Sequence, residues 1–188
     1  MPFLFYKLEI EGLQIVTPKY FIDDRGIFLE SFKKSEFAVN GLPSEFVQEN
    51  ISISKKGVLR GLHYQINPMA QGKLVSVING TIFDVAVDLR KGSPTFGKYF
   101  SIELNDRESL MFWIPPGFAH GFLSLKDNTK VMYRTTCEYS PALERGILWN
   151  DPDIGIHWPT NSVIVSEKDA LLPRLMQADF NFMIGDKI

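Results

Sequence analysis

Apolar and polar residues alternate with a period of two over most of this chain, the pattern of strands that bury one face. "LQIVTPKYFID" (residues 13–23) reads as one strand ending at an acidic turn, and "GIFLESF" (26–32) as another. "FVQENISISKKGVLRGLHYQ" (46–65) reads as two strands broken at Lys55–Gly57. "GKLVSVINGTIFDVAVDL" (72–89) predicts a hairpin, because Asn79–Gly80 is a favoured two-residue turn. More strands are expected around Asn105–Asp106 within residues 98–125, and in "KVMYRTTCEYSP" (130–141). Only short helices are predicted: one in "KKSEFAVNGLPSEF" (33–46), capped by Ser35 and stopped by Gly-Leu-Pro, and one capped by Ser166 in "SEKDALLPRLMQADFNFM" (166–183). From about residue 141, Pro, Gly and Asp interrupt the alternation and predict an extended, loop-like stretch. Many short strands and tight turns imply an all-β sandwich or barrel of Greek-key or jelly-roll type.

Composition narrows this picture. The 188 residues suit a single domain over 1–188, with a barrel core near 45–140, an N-terminal arm near 1–30 and a C-terminal extension near 141–188. Hydrophobic residues make up 45% and Phe occurs 15 times, enough to build a sizeable core. A net charge of -2 points away from nucleic acid, so any anion site must be a local cluster of cations. The single cysteine, Cys137, excludes an internal disulfide, suits a cytoplasmic setting and reads as a small buried or half-buried thiol. The opening residues lack a basic, then apolar, leader, and no apolar run is long enough to cross a membrane.

The unusual chemistry lies in three cations on strand-like segments: Arg60 and His63 in "GVLRGLHYQ", and Lys73 soon after. His63 and Gln65 share one face of a strand and Leu62 and Tyr64 the other, with either face free to be the inner one. Pro115-x-Gly117-x-x-His120 is similar to one half of the two-part signature of the cupin barrels. The other half requires a second His two residues on and then a Glu, where this chain has Gln65 and Lys73. An ammonium in that position repels a divalent cation, so no metal is expected. An imidazole beside a cation instead suits proton abstraction next to a carbonyl, with the cation stabilising an enolate oxygen. Asp84, Asp88, Asp169 and Glu144 are carboxylates that could orient such a base. Tyr64, Tyr133 and Tyr139 are acids that could return the proton from the other side. Arg25 and Arg60 suit phosphate recognition. A local salt bridge, for Arg25 with Asp23 or Asp24, is the alternative.

Six stretches carry a closer resemblance: "DDRGIFLESF", "FVQENISISKKGVLRGLHYQ", "QGKLVSVINGTIFDVAVDLRKGSPTFGKY", "IPPGFAHGFLSL", "YRTTCEYSPALERGILWNDPDIGIHWP" and "SEKD". Together, over about residues 21–170, they resemble the dTDP-4-dehydrorhamnose 3,5-epimerases. The resemblance implies a cupin-like jelly roll, or double-stranded β-helix, with short peripheral helices and arms exchanged in a homodimer. It implies inversion of C3 and C5 of dTDP-4-dehydro-6-deoxy-D-glucose without cofactor or metal. It makes His63 the general base, Asp169 its carboxylate partner, Tyr133 the opposing proton donor, Lys73 the enolate-stabilising cation and His120 a substrate-site histidine. It places Arg25, Glu30, Gln48, Asn50, Arg60 and Glu144 against the nucleotide sugar, with Lys168 beside them and Tyr139 near the nucleotide. A single-centre epimerase, a ketoisomerase on the same barrel and a non-catalytic sugar-binding barrel are the competing readings.

Overall fold

The computed structural model describes residues 2–186. Among these residues thirteen strands follow in chain order: β1 Phe3–Lys7, β2 Gln14–Pro18, β3 Tyr20–Asp23, β4 Gly26–Leu29, β5 Gln48–Ser54, β6 Leu59–Gln65, β7 Lys73–Asn79, β8 Thr81–Asp88, β9 Tyr99–Asn105, β10 Met111–Ile114, β11 Phe118–Ser124, β12 Thr129–Thr135 and β13 Glu144–Gly146. Two short helices, α1 Lys34–Val39 and α2 Glu167–Ala170, and a 3-10 turn at Leu175–Gln177 complete them. The strands form two antiparallel sheets packed face to face. One runs β1-β2-β10-β7-β12-β5 and the other β13-β6-β11-β8-β9. The β3–β4 hairpin is a separate two-stranded ribbon.

Side-chain alternation divides this sandwich into three apolar layers. Ile15, Val75, Val77, Ile82, Ala86, Phe112, Ile114, Phe118 and Val131 meet between the sheets. The intervening residues of β8 and β11, such as Val85, Val87 and Ala119, face outward under a cover made by Ile147, Ile154, Leu175 and Phe182. β8 is therefore buried on both faces, which explains its nearly unbroken apolar run. Outside the six-stranded sheet, Phe37 of α1 packs edge-on against Phe3 and Phe5, over Leu74, Met111 and Trp113.

Three sequence expectations are corrected. Residues 72–89 are two strands but not a hairpin. β7 pairs with β10 and β12, whereas β8 pairs with β9 and β11, so Gly80 alone turns the chain from one sheet into the other. Gly80 has φ +92°, and a Cβ there would lie 2.5 Å from Thr129 Oγ1, so only glycine fits this corner. Residues 13–23 are two strands, with β2 in the large sheet and β3 in the hairpin. The change comes after Pro18, where the Lys19 N–H turns back to the Pro2 carbonyl. Ser35 is not a cap: α1 starts after Lys33 and makes no side-chain cap bond. Burial of Phe37 holds this helix instead, and its end is the expected glycine stop. Gly41 has φ +76°, and the Gly41 and Leu42 N–H groups return to the Ala38 and Phe37 carbonyls. The break between β5 and β6 and the Ser166 cap of α2 lie where the sequence predicts them.

Candidate active site

The space between the sheets is filled by apolar side chains at one end and open at the other. The open end is a cavity of about 670 Å3. Its walls are the inward positions of the same strands. Gln48, Asn50 and Ser52 come from β5, and Tyr133 of β12 lies opposite Asn50. Lys73 begins β7, His120 and Phe122 lie on β11, and His63 and Gln65 on β6. Leu62 and Tyr64 point into the outer layer, so His63 faces inward.

Arg60 and His63 both line this cavity although strand alternation would oppose them. A bulge reconciles the two. His120 pairs with His63 and Phe122 with Arg60, so Gly61 and Leu62 together stand opposite Gly121 alone. Gly61 has φ +134°, and a Cβ on it would come within 2.5 Å of the Gly121 Cα. This contact reverses the facing of β6 and brings Arg60 into the cavity, where its Nε donates to Ser54 Oγ at 3.1 Å.

His63 Nε2 lies 2.8 Å from Asp169 Oδ1. The other oxygen, Oδ2, accepts the Gly61 N–H at 3.2 Å. The Asp169 N–H in turn donates to Ser166 Oγ at 3.1 Å, so the helix cap and the carboxylate form one unit. Burial favours the neutral acid at Asp169, but the His63 bond and charge, the Gly61 N–H and Ser166 outweigh it and hold the carboxyl below its ordinary range. His63 keeps its Nδ1 free of protein partners among the described residues.

Lys73 is buried, and its Nζ donates to the His63 carbonyl at 3.1 Å. Burial pushes its ammonium down to about 8, against the opposing pull of Glu144 and Asp84. Deeper in, His120 Nε2 meets the fully buried Asp84 at 2.6 Å. At the mouth, Glu144 Oε2 accepts from Lys168 Nζ and, at 2.9 Å, from Tyr139 Oη. Burial works against the Glu144 charge, yet these two bonds with the Lys168 and His63 charges keep its carboxyl low. Burial raises the Tyr133 phenol, so it stays protonated in the neutral range.

Eleven of the expected site residues thus share one cavity: His63, Asp169, Tyr133, Lys73, Gln48, Asn50, Arg60, His120, Tyr139, Glu144 and Lys168. Arg25 and Glu30 are not among its lining. Arg25 is at the turn of the β3–β4 hairpin, exposed and paired with Asp23 at 2.6 Å, and Glu30 follows β4. Within one chain the local salt bridge is therefore what Arg25 makes. Ser52, Phe122 and Gln71 line the cavity without having been singled out. Ser52 was readable, since it continues the Gln48, Asn50 spacing. Asp84 serves His120, and Asp88 serves Arg90, leaving Asp169 alone on His63. Cys137 is half-buried, its Sγ 3.6 Å from the Met69 Sδ. Among the described residues, no three His, Cys, Asp or Glu side chains gather as metal ligands.

A double-stranded jelly roll with paired histidine–carboxylate groups and a buried ammonium in its open end belongs to the cupin-like sugar-nucleotide isomerases. Residues 7–177 match the dTDP-4-dehydrorhamnose 3,5-epimerase family, and the chain is a member of it. It is 50% identical over 175 residues to dTDP-4-dehydrorhamnose 3,5-epimerase of Shigella flexneri, covering 93% of this chain and 97% of that one. The crystal structure of the Sulfolobus tokodaii enzyme of that name superposes with a TM-score of 0.90 at 50% identity, over 96% of this chain and all of the other. A dTDP-6-deoxy-D-glucose-3,5-epimerase from Legionella pneumophila, solved in complex with dTDP-4-keto-L-rhamnose, superposes with a TM-score of 0.90 at 45% identity, over 94% and 95% of the two chains.

Proposed function

We propose that this protein is an isomerase that inverts C3 and C5 of dTDP-4-dehydro-6-deoxy-D-glucose, giving dTDP-4-dehydro-L-rhamnose for dTDP-L-rhamnose biosynthesis. The observation that carries the chemistry is the Asp169–His63 pair with the Lys73 ammonium bonded to the same His63 residue. The C4 ketone acidifies the protons on C3 and C5. His63, oriented by Asp169, removes one through Nδ1. Lys73, with His120, holds the oxygen on which the negative charge collects. Tyr133 stands on the opposite sheet, protonated, and returns a proton from the other face of the carbon. Arg60, Gln48, Asn50, Glu144 and Lys168 contact the nucleotide sugar, with Tyr139 near its nucleotide end.

The proposed assembly is a homodimer with exchanged arms. The β3–β4 hairpin exposes Phe21, Ile22, Ile27 and Phe28, and the outer face of β5 exposes Ile51 and Ile53. Monomers seldom leave so much apolar strand surface uncovered. A second copy would cover it and could bring Arg25 and Glu30 to the neighbouring cavity. The setting is cytoplasmic, in keeping with the single cysteine. No helix among the described residues is long and apolar enough to cross a membrane.

The test is incubation with the dTDP-4-keto sugar in D2O followed by product NMR. Deuterium at both C3 and C5 is expected, and deuterium at one carbon only would make the protein a single-centre epimerase. His63→Asn should abolish wash-in at both while leaving nucleotide-sugar affinity nearly intact. Normal wash-in by that variant would refute the base assignment. Sedimentation should give twice the chain mass, and Ile51→Asp should reduce it to one chain.

A further inference from the structure

We propose that Gly146 and Leu172 are positioning residues that set the distance between Asp169 and His63. This inference rests on the reading of His63 as the base and Asp169 as its partner. Asp169 sits in α2, which is only a single helical turn. Such a turn has too few internal hydrogen bonds to place a carboxylate by itself. Its position comes from its two flanks. Upstream, Ile164 forms a parallel bridge with Val58, the Leu59 N–H donating to the Ile164 carbonyl at 2.9 Å and the Ile164 N–H to the Gly57 carbonyl at 2.7 Å. Downstream, the Leu148 N–H donates to the Pro173 carbonyl at 2.8 Å. The side chain of Leu172, three residues after Asp169, seats on Gly146.

Gly146 lies in β13 directly across from His63 in β6. A Cβ at Gly146 would stand 2.6 and 2.8 Å from the two Leu172 methyls and 2.8 Å from the Leu62 carbonyl oxygen. Gly146 is outside the set of glycines with left-handed φ, so contact alone, and not backbone conformation, decides what a methyl does there. The missing side chain of Gly146 is therefore the socket for Leu172, on the strand that backs the base. Filling it lifts Leu172 and the adjoining turn, and with them Asp169, away from β6. A displacement near 1 Å in a catalytic pair is worth about 10²-fold in rate.

The experiment compares Gly146→Ala, Leu172→Ala, the double variant and Asp169→Asn in the full-length chain, with far-UV circular dichroism to monitor folding. Gly146→Ala is expected to lower kcat by about 10- to 100-fold, with KM changed by less than about threefold. Its pH–rate profile should shift in the same direction as that of Asp169→Asn. Leu172→Ala empties the socket and should lower kcat by about tenfold. The double variant should recover part of the Gly146→Ala loss, the remainder reflecting the Leu62 carbonyl. If Asp169→Asn loses activity while Leu172→Ala keeps the wild-type kcat and pH profile, the positioning role is overturned and the base assignment stands. A loss in KM alone overturns it as well. If Asp169→Asn itself keeps wild-type kcat, the pairing of Asp169 with His63 as a catalytic unit fails. Leu172→Ala and the double variant keep the question open to refutation should Gly146→Ala not fold.

Discussion

Replacing Lys73 by Met should make the protein more stable at neutral pH and nearly inactive. The Lys73 ammonium is buried beside the His63 carbonyl, and burial lowers it from its ordinary 10.5 to about 8. Each pH unit of that gap is about 1.4 kcal/mol, so keeping the proton on Lys73 at pH 7 costs the folded state about 3 kcal/mol. Methionine has a similar length and carries no charge. Against its gain stands the lost Lys73–His63 hydrogen bond, about 1 kcal/mol, whereas the pull of Glu144 and Asp84 is already contained in the value of about 8. The expected net stabilisation at pH 7 is about 1–2 kcal/mol, a rise in Tm of about 2–8 °C for a chain of this size. The pH dependence has a definite sign. Between about pH 8 and 10.5 the unfolded chain binds the proton that folded Lys73 has released, so wild-type stability gains on the variant as pH rises through that window. The advantage of Lys73→Met should therefore shrink from pH 8 upward, vanish at about pH 9–9.5, and turn into a deficit of about 1–2 kcal/mol by about pH 10.5. Urea melts of both proteins at pH 7, 9 and 10 measure the difference directly, and other titrating groups cancel between them. Activity should fall by about 10²–10³-fold, the scale of losing one group that stabilises an oxyanion. A variant less stable than wild type at pH 7, with a difference that stays constant to pH 10, would refute this account of Lys73.

Two further changes test the frame around the site. Gly61→Ala adds a methyl where the nearest backbone atom is 2.5 Å away and φ is +134°. It should lower Tm by at least about 5 °C and separate Arg60 from His63, raising KM and lowering kcat together. Arg90→Met leaves the buried Asp88 without its 2.8 Å partner. A loss of about 3–5 kcal/mol is expected in urea melts at pH 7, and less near pH 4, where Asp88 can relieve the lost pairing by taking a proton.

The strand pattern carried most of the architecture, because half-buried strands write their faces into every second residue. What it could not carry was partnership. Asn79–Gly80 has the chemistry of a tight turn, and that chemistry serves a corner between sheets as well as a hairpin. Of the partners of β7 and β8, only β9 is the next strand along the chain; β10, β11 and β12 lie further off. In the same way Arg60 and His63 were legible as cations but not as neighbours in one cavity. Their shared orientation depends on a bulge set by Gly121, about 60 residues away. Asp169 is 106 residues from His63, and only the resemblance singled it out among four carboxylates. Ser166, by contrast, was readable locally, since a cap acts within three residues of itself. Ser35 has the same residue type but sits inside a helix fixed by Phe37, so tertiary burial overrode its propensity.

The division of the interior into a packed half and an open half separates two kinds of selection. Lys73 lies two residues before Val75 on β7, and Asp84 sits between Ile82 and Ala86 on β8, so structural and chemical positions are interleaved along one strand. The reagents at the mouth can therefore be exchanged one at a time while the hydrocarbon plug below continues to hold the sheets apart. A scaffold of this kind lends itself to new chemistry by point replacement, without the refolding that a loop graft demands.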